Sequence, residues 1–262
     1  MRVHVVSDVH GNAEALARAS AGADAVVVLG DLLDIVDYHD HERGVLGRLF
    51  GPDRVRTFAR LRREDGRRAA AYVRSLWGEL ADPAGSVDEL VREQYDLLFG
   101  ALDAPTYATP GNVDSPRLWP EYARDGLVML DGQSVDLGGL RFGFAGGAVL
   151  PPGVPPLTGP APWRAYLRTP EDFALALDSL GEVDVWCTHV PPALDELCYD
   201  VVARRVEVGS EGLLDRIRAQ RARWALFGHV HQPLSARARV GVTDCVNVGH
   251  FQRTASPYVL HW

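Results

Sequence analysis

Lysine is absent from this 262-residue sequence, and all 27 of its basic side chains are arginine. Isoleucine occurs only at Ile35 and Ile217. This usage is typical of codon bias in a GC-rich genome. An arginine in this chain is therefore not, by its identity alone, evidence of a forked contact to an anion.

Cysteine is also scarce, with Cys187, Cys198 and Cys245 as the three examples. An odd number without CxxC spacing excludes a disulfide framework and a thiolate zinc site. The chain opens on the strand-like run Arg2–Val6 without the layout of a signal peptide, and no apolar run is long enough to span a bilayer. We therefore expect a cytoplasmic protein with no membrane partner.

The formal net charge of -8 argues against a nucleic-acid partner and against acidic membranes. Hydrophobic residues make up 47% of the sequence, which is enough to build a sizeable core. The length fits one domain, and no internal linker is evident. We predict a single domain over residues 1–262.

The first thirty residues predict a βαβ unit. The apolar run Val3–Val6 predicts a buried strand, Asn12 is a candidate N-cap for a helix over Ala13–Ala19, and Ala25–Leu29 predicts a second strand. A parallel sheet places its active site at the carboxyl ends of its strands. Asp8 and Asp31 follow the two strands and should lie there.

The rest of the chain divides into a helical and a mixed part. Residues from about 40 to 104 carry helical spacing and predict two or three helices. A Pro-rich surface loop over 151–162 and short antiparallel strands near the end are also expected. The remaining predicted elements are strands at 106–109, 127–130, 134–137, 140–145, 183–188 and 224–227, and helices at 170–180 and after the N-cap Ser210.

Five short polar motifs each follow an apolar run. They are Asp8-Val9-His10, Gly30-Asp31-Leu32-Leu33-Asp34, Gly111-Asn112-Val113-Asp114, Thr188-His189-Val190-Pro191 and Gly228-His229-Val230-His231. Each one alone is a common turn or a chance pair. Together they supply the carboxylate, amide and imidazole ligands that a pair of divalent cations needs.

This ordered set resembles the calcineurin-like metallophosphoesterase superfamily, whose motifs are DxH, GDxxD, GNH(D/E), H and GHxH. The resemblance implies an α/β fold, a four-layer α/β/β/α sandwich with a helical insertion. It implies that one metal is held by Asp8, His10 and His231. It likewise implies that a second metal is held by Asn112, His189 and His229, and that Asp31 bridges the two.

The same resemblance implies hydrolysis of a phosphoric ester by a metal-bridging hydroxide, with Asp31 and Asn112 in catalytic roles. The cofactors would be two divalent ions, namely Mn, Fe or Zn, with Mn favoured. Asp34 and Asp114 are either carboxylates that orient the ligands or ordinary loop carboxylates, and the sequence leaves both interpretations open.

Val113 departs from the family pattern, which has histidine at this position. In the family that histidine positions the phosphate and protonates the leaving group, and valine does neither. The loss favours a phosphodiester or an activated leaving group over a poor one. His39, His41 and His250 are candidate replacements, and we prefer His250 as a substrate-binding residue together with Asn112.

The helical stretch at about 40–104 is not covered by the resemblance and is expected to form a cap-like insertion that sets substrate choice. The leading hypothesis is a phosphoesterase acting on a phosphodiester or a small phosphomonoester. The alternative is a non-catalytic protein-binding module that retains the fold, which Val113 favours and the full ligand set disfavours. A nuclease is disfavoured by the acidic balance.

Overall fold

The structure is a computed structural model that describes residues 1–262. Its strands, numbered in chain order, are β1 (Arg2–Val6), β2 (Ala25–Val28), β3 (Thr106–Ala108), β4 (Leu127–Met129), β5 (Gln133–Leu137), β6 (Leu140–Ala145), β7 (Ala148–Val149), β8 (Leu167–Arg168), β9 (Val185–Thr188), β10 (Tyr199–Asp200), β11 (Arg205–Val206), β12 (Trp224–Phe227), β13 (Arg237–Val240), β14 (Thr243–Asn247) and β15 (Tyr258–His261).

The helices are α1 (Ala13–Ser20), α2 (Gly44–Phe50), α3 (Pro52–Glu64), α4 (Gly66–Trp77), α5 (Pro83–Gly100), α6 (Pro170–Asp178), α7 (Asp195–Cys198), α8 (Glu211–Ala219) and α9 (Phe251–Thr254). A 3-10 helix covers Pro116–Tyr122. None of these helices combines the length and the apolar composition that a membrane crossing requires.

Two large sheets organise the molecule. The first has the strand order β15-β1-β2-β3-β4, and only its β15 edge is antiparallel. The second has the order β13-β14-β12-β9-β6-β5, with four parallel strands in the middle and antiparallel partners at both edges. The parallel strands of each sheet end at one edge, which is where loops can carry a site.

The two sheets pack face to face. Val3 and Val5 of β1 alternate with outward residues and meet Phe142 and Val185 of the second sheet in one buried cluster. On the outer face of the first sheet, α1 and α5 cover Val6. The second sheet is covered in the same way by helices α6 and α8. The predicted four-layer α/β/β/α sandwich is therefore confirmed.

The helical stretch contains four helices, so the prediction of two or three was wrong. Two breaks explain the extra helix. Gly51 has φ +79° and precedes Pro52 at the start of α3, and the Asp65 side chain accepts hydrogen bonds from the first amides of α4. Helices α2, α3 and α4 build a small core of their own around Phe58, whereas α5 belongs to the outer layer.

Most other predicted elements are present with ends shifted by one or two residues. Asn12 accepts a hydrogen bond from the Ala15 amide and caps α1 as expected. The closing strands are only partly antiparallel, because β14 pairs in parallel with β12 as well as antiparallel with β13. The last strand, β15, joins the first sheet and is antiparallel to β1. Residues 151–162 form an exposed loop without regular structure, as expected.

Candidate metal centre

The predicted ligands all stand just after parallel strands. Asp8 and His10 follow β1, Asp31 follows β2, Asn112 follows β3, His189 follows β9, and the pair His229 and His231 follows β12. The two sheets therefore bring their polar loops to one common edge. This convergence is what the motif order predicted.

Four of these residues have a strained backbone. Asp8, His10, Asp31 and His229 have φ values of +57°, +41°, +52° and +68°, and only two other non-glycine residues in the chain have positive φ. Such a conformation costs on the order of 1–3 kcal/mol per residue and persists only where the surroundings enforce it. The strained residues are concentrated at the candidate site, where this backbone conformation directs their side chains toward one another.

Glycines permit the close approach of the loops. A β-carbon on Gly30 would collide with the backbone of Gly111, and one on Gly228 would collide with Ser7 and the Asp8 carboxylate. The glycines that precede Asp31, Asn112 and His229 are thus needed because adjacent loops fill the space of a side chain.

Backbone carbonyls fix the tautomers of two histidines. Nδ1 of His10 lies 3.0 Å from the Leu33 carbonyl oxygen, and Nδ1 of His189 lies 2.8 Å from that of Leu29. A carbonyl oxygen only accepts, so each Nδ1 carries the proton. In the neutral rings, each Nε2 then presents a lone pair to the site.

The first half of the site gathers Asp8, His10 and His231. Nε2 of His10 lies 3.3 Å from Nε2 of His231 and 4.0 Å from Asp8 Oδ1. Asp8 Oδ1 is 3.3 Å from the same His231 nitrogen. The other carboxylate oxygen of Asp8, Oδ2, accepts a hydrogen bond from the His229 amide with a nitrogen-to-oxygen distance of 3.0 Å, which fixes the carboxylate.

The second half gathers Asn112, His189 and His229. Nε2 of His189 lies 3.0 Å from Asn112 Oδ1 and 3.4 Å from Asp31 Oδ1. The ring of His229 stands 5.0 Å from that of His189, centroid to centroid. Asp31 also reaches the first half, since its Oδ2 lies 4.0 Å from His10 Nε2.

These contacts fit two cations. In both halves, imidazole nitrogens lie 3.0–3.4 Å from other nitrogen or oxygen atoms that can also bind a cation. Asp8 Oδ1 is buried without a hydrogen-bond partner. Oxygen and nitrogen ligands without thiolate suit a divalent transition metal.

The electrostatics of the site agree with this interpretation. Burial raises the pKa of Asp31, but the imidazoles of His189 and His10 together outweigh burial, and the pKa falls to about 2. Burial lowers the pKa of His189, but the carboxylates of Asp31 and Asp8 together outweigh it and raise this pKa to about 9. Two buried carboxylates thus draw positive charge into this edge of the sheets.

Asp114 and Asp34 have different surroundings. The Asp114 carboxylate accepts hydrogen bonds from the amides of Gly111, Leu32 and Leu33, so it braces the loops that carry Asn112 and Asp31. The side chain of Asp34 makes no hydrogen bond, although its residue is buried. Only Asp114 is placed to orient candidate ligands.

The position of the missing family histidine is partly buried and apolar. Val113 packs against the outer core of the first sheet, and its amide donates to Asp31 Oδ1 at 2.9 Å. The rings of His39 and His41 make no hydrogen bond, and His39 is exposed. Of the three replacements considered, only His250 contacts the candidate ligands.

His250 stacks on His231, with centroids 3.8 Å apart and planes 20° from parallel. Sequence reasoning missed its neighbour Gln252, which contacts both His250 and the His10 carbonyl oxygen. It also missed Tyr166, whose amide donates to the Asn112 carbonyl oxygen at 2.8 Å. Neither residue lies in a recognisable motif, so the sequence carries no signal for them.

The sequence matches the calcineurin-like phosphoesterase family over residues 1–233, and the chain belongs to this family of metal-dependent phosphoesterases. A solved structure, that of TT1561 of Thermus thermophilus, is similar to the chain with a TM-score of 0.55 and 14% sequence identity. The similarity covers 99% of this chain and 98% of that chain and concerns the fold. No curated protein sequence matches the chain.

Proposed function

We propose that this protein hydrolyses a phosphodiester or a small phosphomonoester, with the diester preferred. The observation that carries the proposal is the convergence of seven potential ligand side chains on one sheet edge. Six of them have a nitrogen or oxygen atom within 3.0–3.4 Å of another member of the set. The carboxylates of Asp8 and Asp31 are buried among these side chains, which is costly unless positive charge neutralises them.

Two divalent ions would be held by the seven predicted ligands. Asp8, His10 and His231 would hold one ion, and Asn112, His189 and His229 the other, with Asp31 between them. When bound, such a pair polarises the phosphoryl group and activates water. We propose Mn, Fe or Zn, with Mn favoured.

The chain's own residues orient the ester. The Asn112 side chain faces the shared space and supplies an amide donor for a phosphoryl oxygen. Asp31 is held by the Val113 amide, so its carboxylate cannot swing away. Val113 itself offers no proton to a leaving group, which is why a diester or another good leaving group is preferred.

Helices α2 to α4 are proposed to form a cap-like unit within a single domain. They share a small core of their own, and they are joined to the sandwich through the buried Val45 and the partly buried Val36 and Trp77. At the start of α2, the amides of Val45 and Leu46 donate to the carbonyl oxygens of Asp34 and Ile35, both at 3.0 Å. This link to the segment that follows Asp31 supports a role for these helices in choosing the substrate.

The expected setting is the cytoplasm, which is supported by three free, buried cysteines. The expected partner is a small phosphorylated molecule. The net charge of -8 supports the absence of a nucleic-acid partner.

A second candidate function is a non-catalytic protein-binding module. Val202, Val206 and Leu234 expose 71%, 63% and 63% of their surface. The two valines lie on the β10–β11 hairpin. The Val201 amide of this hairpin donates a hydrogen bond to the carbonyl oxygen of Gln232, the residue after His231. An apolar surface beside the site suits a protein partner.

One assay distinguishes the two candidate functions. Hydrolysis of an aryl phosphodiester and of an aryl phosphomonoester is measured with added Mn²⁺ and with chelator. Turnover that requires metal and favours the diester supports the phosphoesterase proposal. Bound metal with no turnover of either ester would make the binding module the better account.

A further inference from the structure

We propose that His250 is an additional ligand of the metal held by Asp8, His10 and His231, bound through its Nδ1 atom. This inference rests on the proposed metal centre and extends it by one side chain. It replaces the substrate-binding role expected from the sequence with a role in holding the ion.

The hydrogen bonds around Gln252 determine which nitrogen of His250 is free. Nε2 of Gln252 lies 3.2 Å from the His10 carbonyl oxygen, which only accepts. The amide orientation of Gln252 is therefore fixed, and its Oε1 faces Nε2 of His250 at 3.3 Å. His250 must donate from Nε2, so the lone pair of the neutral ring is on Nδ1.

That Nδ1 atom is buried and has no hydrogen-bond partner, and the residue exposes only 8% of its surface. A buried imidazole acceptor without a partner costs free energy unless something binds it.

The position of the ring fits coordination. One ligand nitrogen each from His10, His231 and His250 lie within 4.8 Å of one another. The His250 ring is stacked on His231 and stands edge-on to His10 at 5.8 Å between centroids. The planes of His250 and His231 are nearly parallel, so the His250 ring has to rotate about its side-chain bonds before both lone pairs can meet one cation.

The segment that carries His250 is fixed to the loops of the other ligands. The amides of Phe251 and Gln252 donate to the Ser7 and Asp8 carbonyl oxygens at 3.0 and 2.9 Å. On the other side, the Asn247 side chain donates to the Val230 carbonyl oxygen at 2.9 Å. His250 therefore already lies beside both His10 and His231 without movement of the backbone.

A third imidazole changes the chemistry of this site in a measurable way. Nitrogen ligands favour zinc and cobalt more strongly than manganese, which prefers oxygen ligands. Removing His250 should therefore lower the affinity for Zn²⁺ and Co²⁺ more than the affinity for Mn²⁺. Removing a residue that only packs against the site would lower the affinity for all three ions alike.

The test is metal binding to the full-length, metal-free protein, with affinities measured by chelator competition and Co²⁺ followed by its visible absorption. For His250→Ala we expect roughly 10- to 100-fold weaker Co²⁺ and Zn²⁺ binding at one of two sites, a smaller effect on Mn²⁺ and a changed cobalt spectrum. His261→Ala, which removes an exposed histidine on β15, is the matched control and should behave as wild type.

His10→Ala separates failure of this inference from failure of the proposed function. If His10→Ala loses metal while His250→Ala binds all three ions as wild type does, His250 is not a ligand and the metal centre stands. If the wild-type protein binds no metal, both proposals fail.

A second variant covers the case in which His250→Ala does not fold. Gln252→Leu keeps the ring of His250 but removes the acceptor that fixes its tautomer. It should lower the affinity for Co²⁺ more than the affinity for Mn²⁺. Histidine ¹⁵N spectra of the wild type with Zn²⁺ give a direct readout. A ring assigned to His250 whose Nδ1 resonance does not move on Zn²⁺ addition would overturn the inference.

Discussion

Nε2 of His10 and Nε2 of His231 lie 3.3 Å apart, although the two residues are 221 positions apart in the chain. His10 follows β1 of the first sheet, and His231 follows β12 of the second. Their contact therefore exists only because two separately built sheets pack face to face with their polar loops at one edge. Since His10 has its proton on Nδ1, its Nε2 lone pair faces the other ring and is available to a cation.

Replacing Val113 with histidine should restore a proton donor next to Asn112. We expect Val113→His to raise kcat/KM for alkyl phosphomonoesters by up to about 100-fold, with little effect on aryl phosphodiesters whose leaving groups need no proton. The comparison of alkyl and aryl esters is the measurement. Val113→Gln is the control, because it adds a polar side chain that is not a general acid. An equal gain in both variants would show that polarity, not proton donation, was missing.

Asp114 should be required for the shape of the site as well as for stability. Asp114→Ala leaves the amides of Gly111, Leu32 and Leu33 without their acceptor, and each lost partner costs about 1–3 kcal/mol. We expect a free energy of unfolding lower by roughly 3 kcal/mol or more in urea denaturation, together with weaker metal binding. Asp125→Ala, at an exposed loop position, should change neither quantity. Wild-type stability in Asp114→Ala would refute the bracing role.

The helices α2 to α4 should affect substrate choice more than metal content. The core around Phe58 is a separate cluster, but Val45 of α2 is buried in the sandwich core. Replacing residues 52–76 by a short flexible linker should therefore leave the two sheets intact. The expected result is unchanged metal stoichiometry with an altered ratio of diester to monoester turnover. Loss of metal with an unchanged ratio would instead give this unit a purely structural role.

The sequence predicts the part of the site that depends on strand ends and glycines. The positions of Asp8, Asp31 and His189 follow from apolar runs that end in polar residues, and the four layers follow from the resemblance that those motifs carry. Gly51–Pro52 and Asp65 are residues that commonly end or begin helices. Because helical spacing continues across them, the sequence pattern does not separate the helices there, and the number of helices is underestimated.

Other features depend on packing that no local pattern records. Gln252 acts through an amide that reaches the carbonyl oxygen of His10, which is distant in sequence. The stacking of His250 on His231 needs two strand-end loops to meet. Such contacts become visible only when the sheets are assembled.

The central claim is that Asp31 joins two metal sites into one catalytic centre. Its Oδ1 lies 3.4 Å from His189 Nε2 and its Oδ2 lies 4.0 Å from His10 Nε2, so one carboxylate faces both halves. Asp31→Asn removes the charge and keeps an oxygen for the Val113 amide, which preserves the fold.

The most direct measurement is therefore metal content and aryl phosphodiester turnover of Asp31→Asn in the same sample, with Asp125→Asn as the control. The account predicts that bound metal falls below two ions per chain and that turnover falls by about 1000-fold or more, because several kcal/mol of transition-state stabilisation depend on the metal pair. Full metal content with wild-type turnover in Asp31→Asn would contradict it.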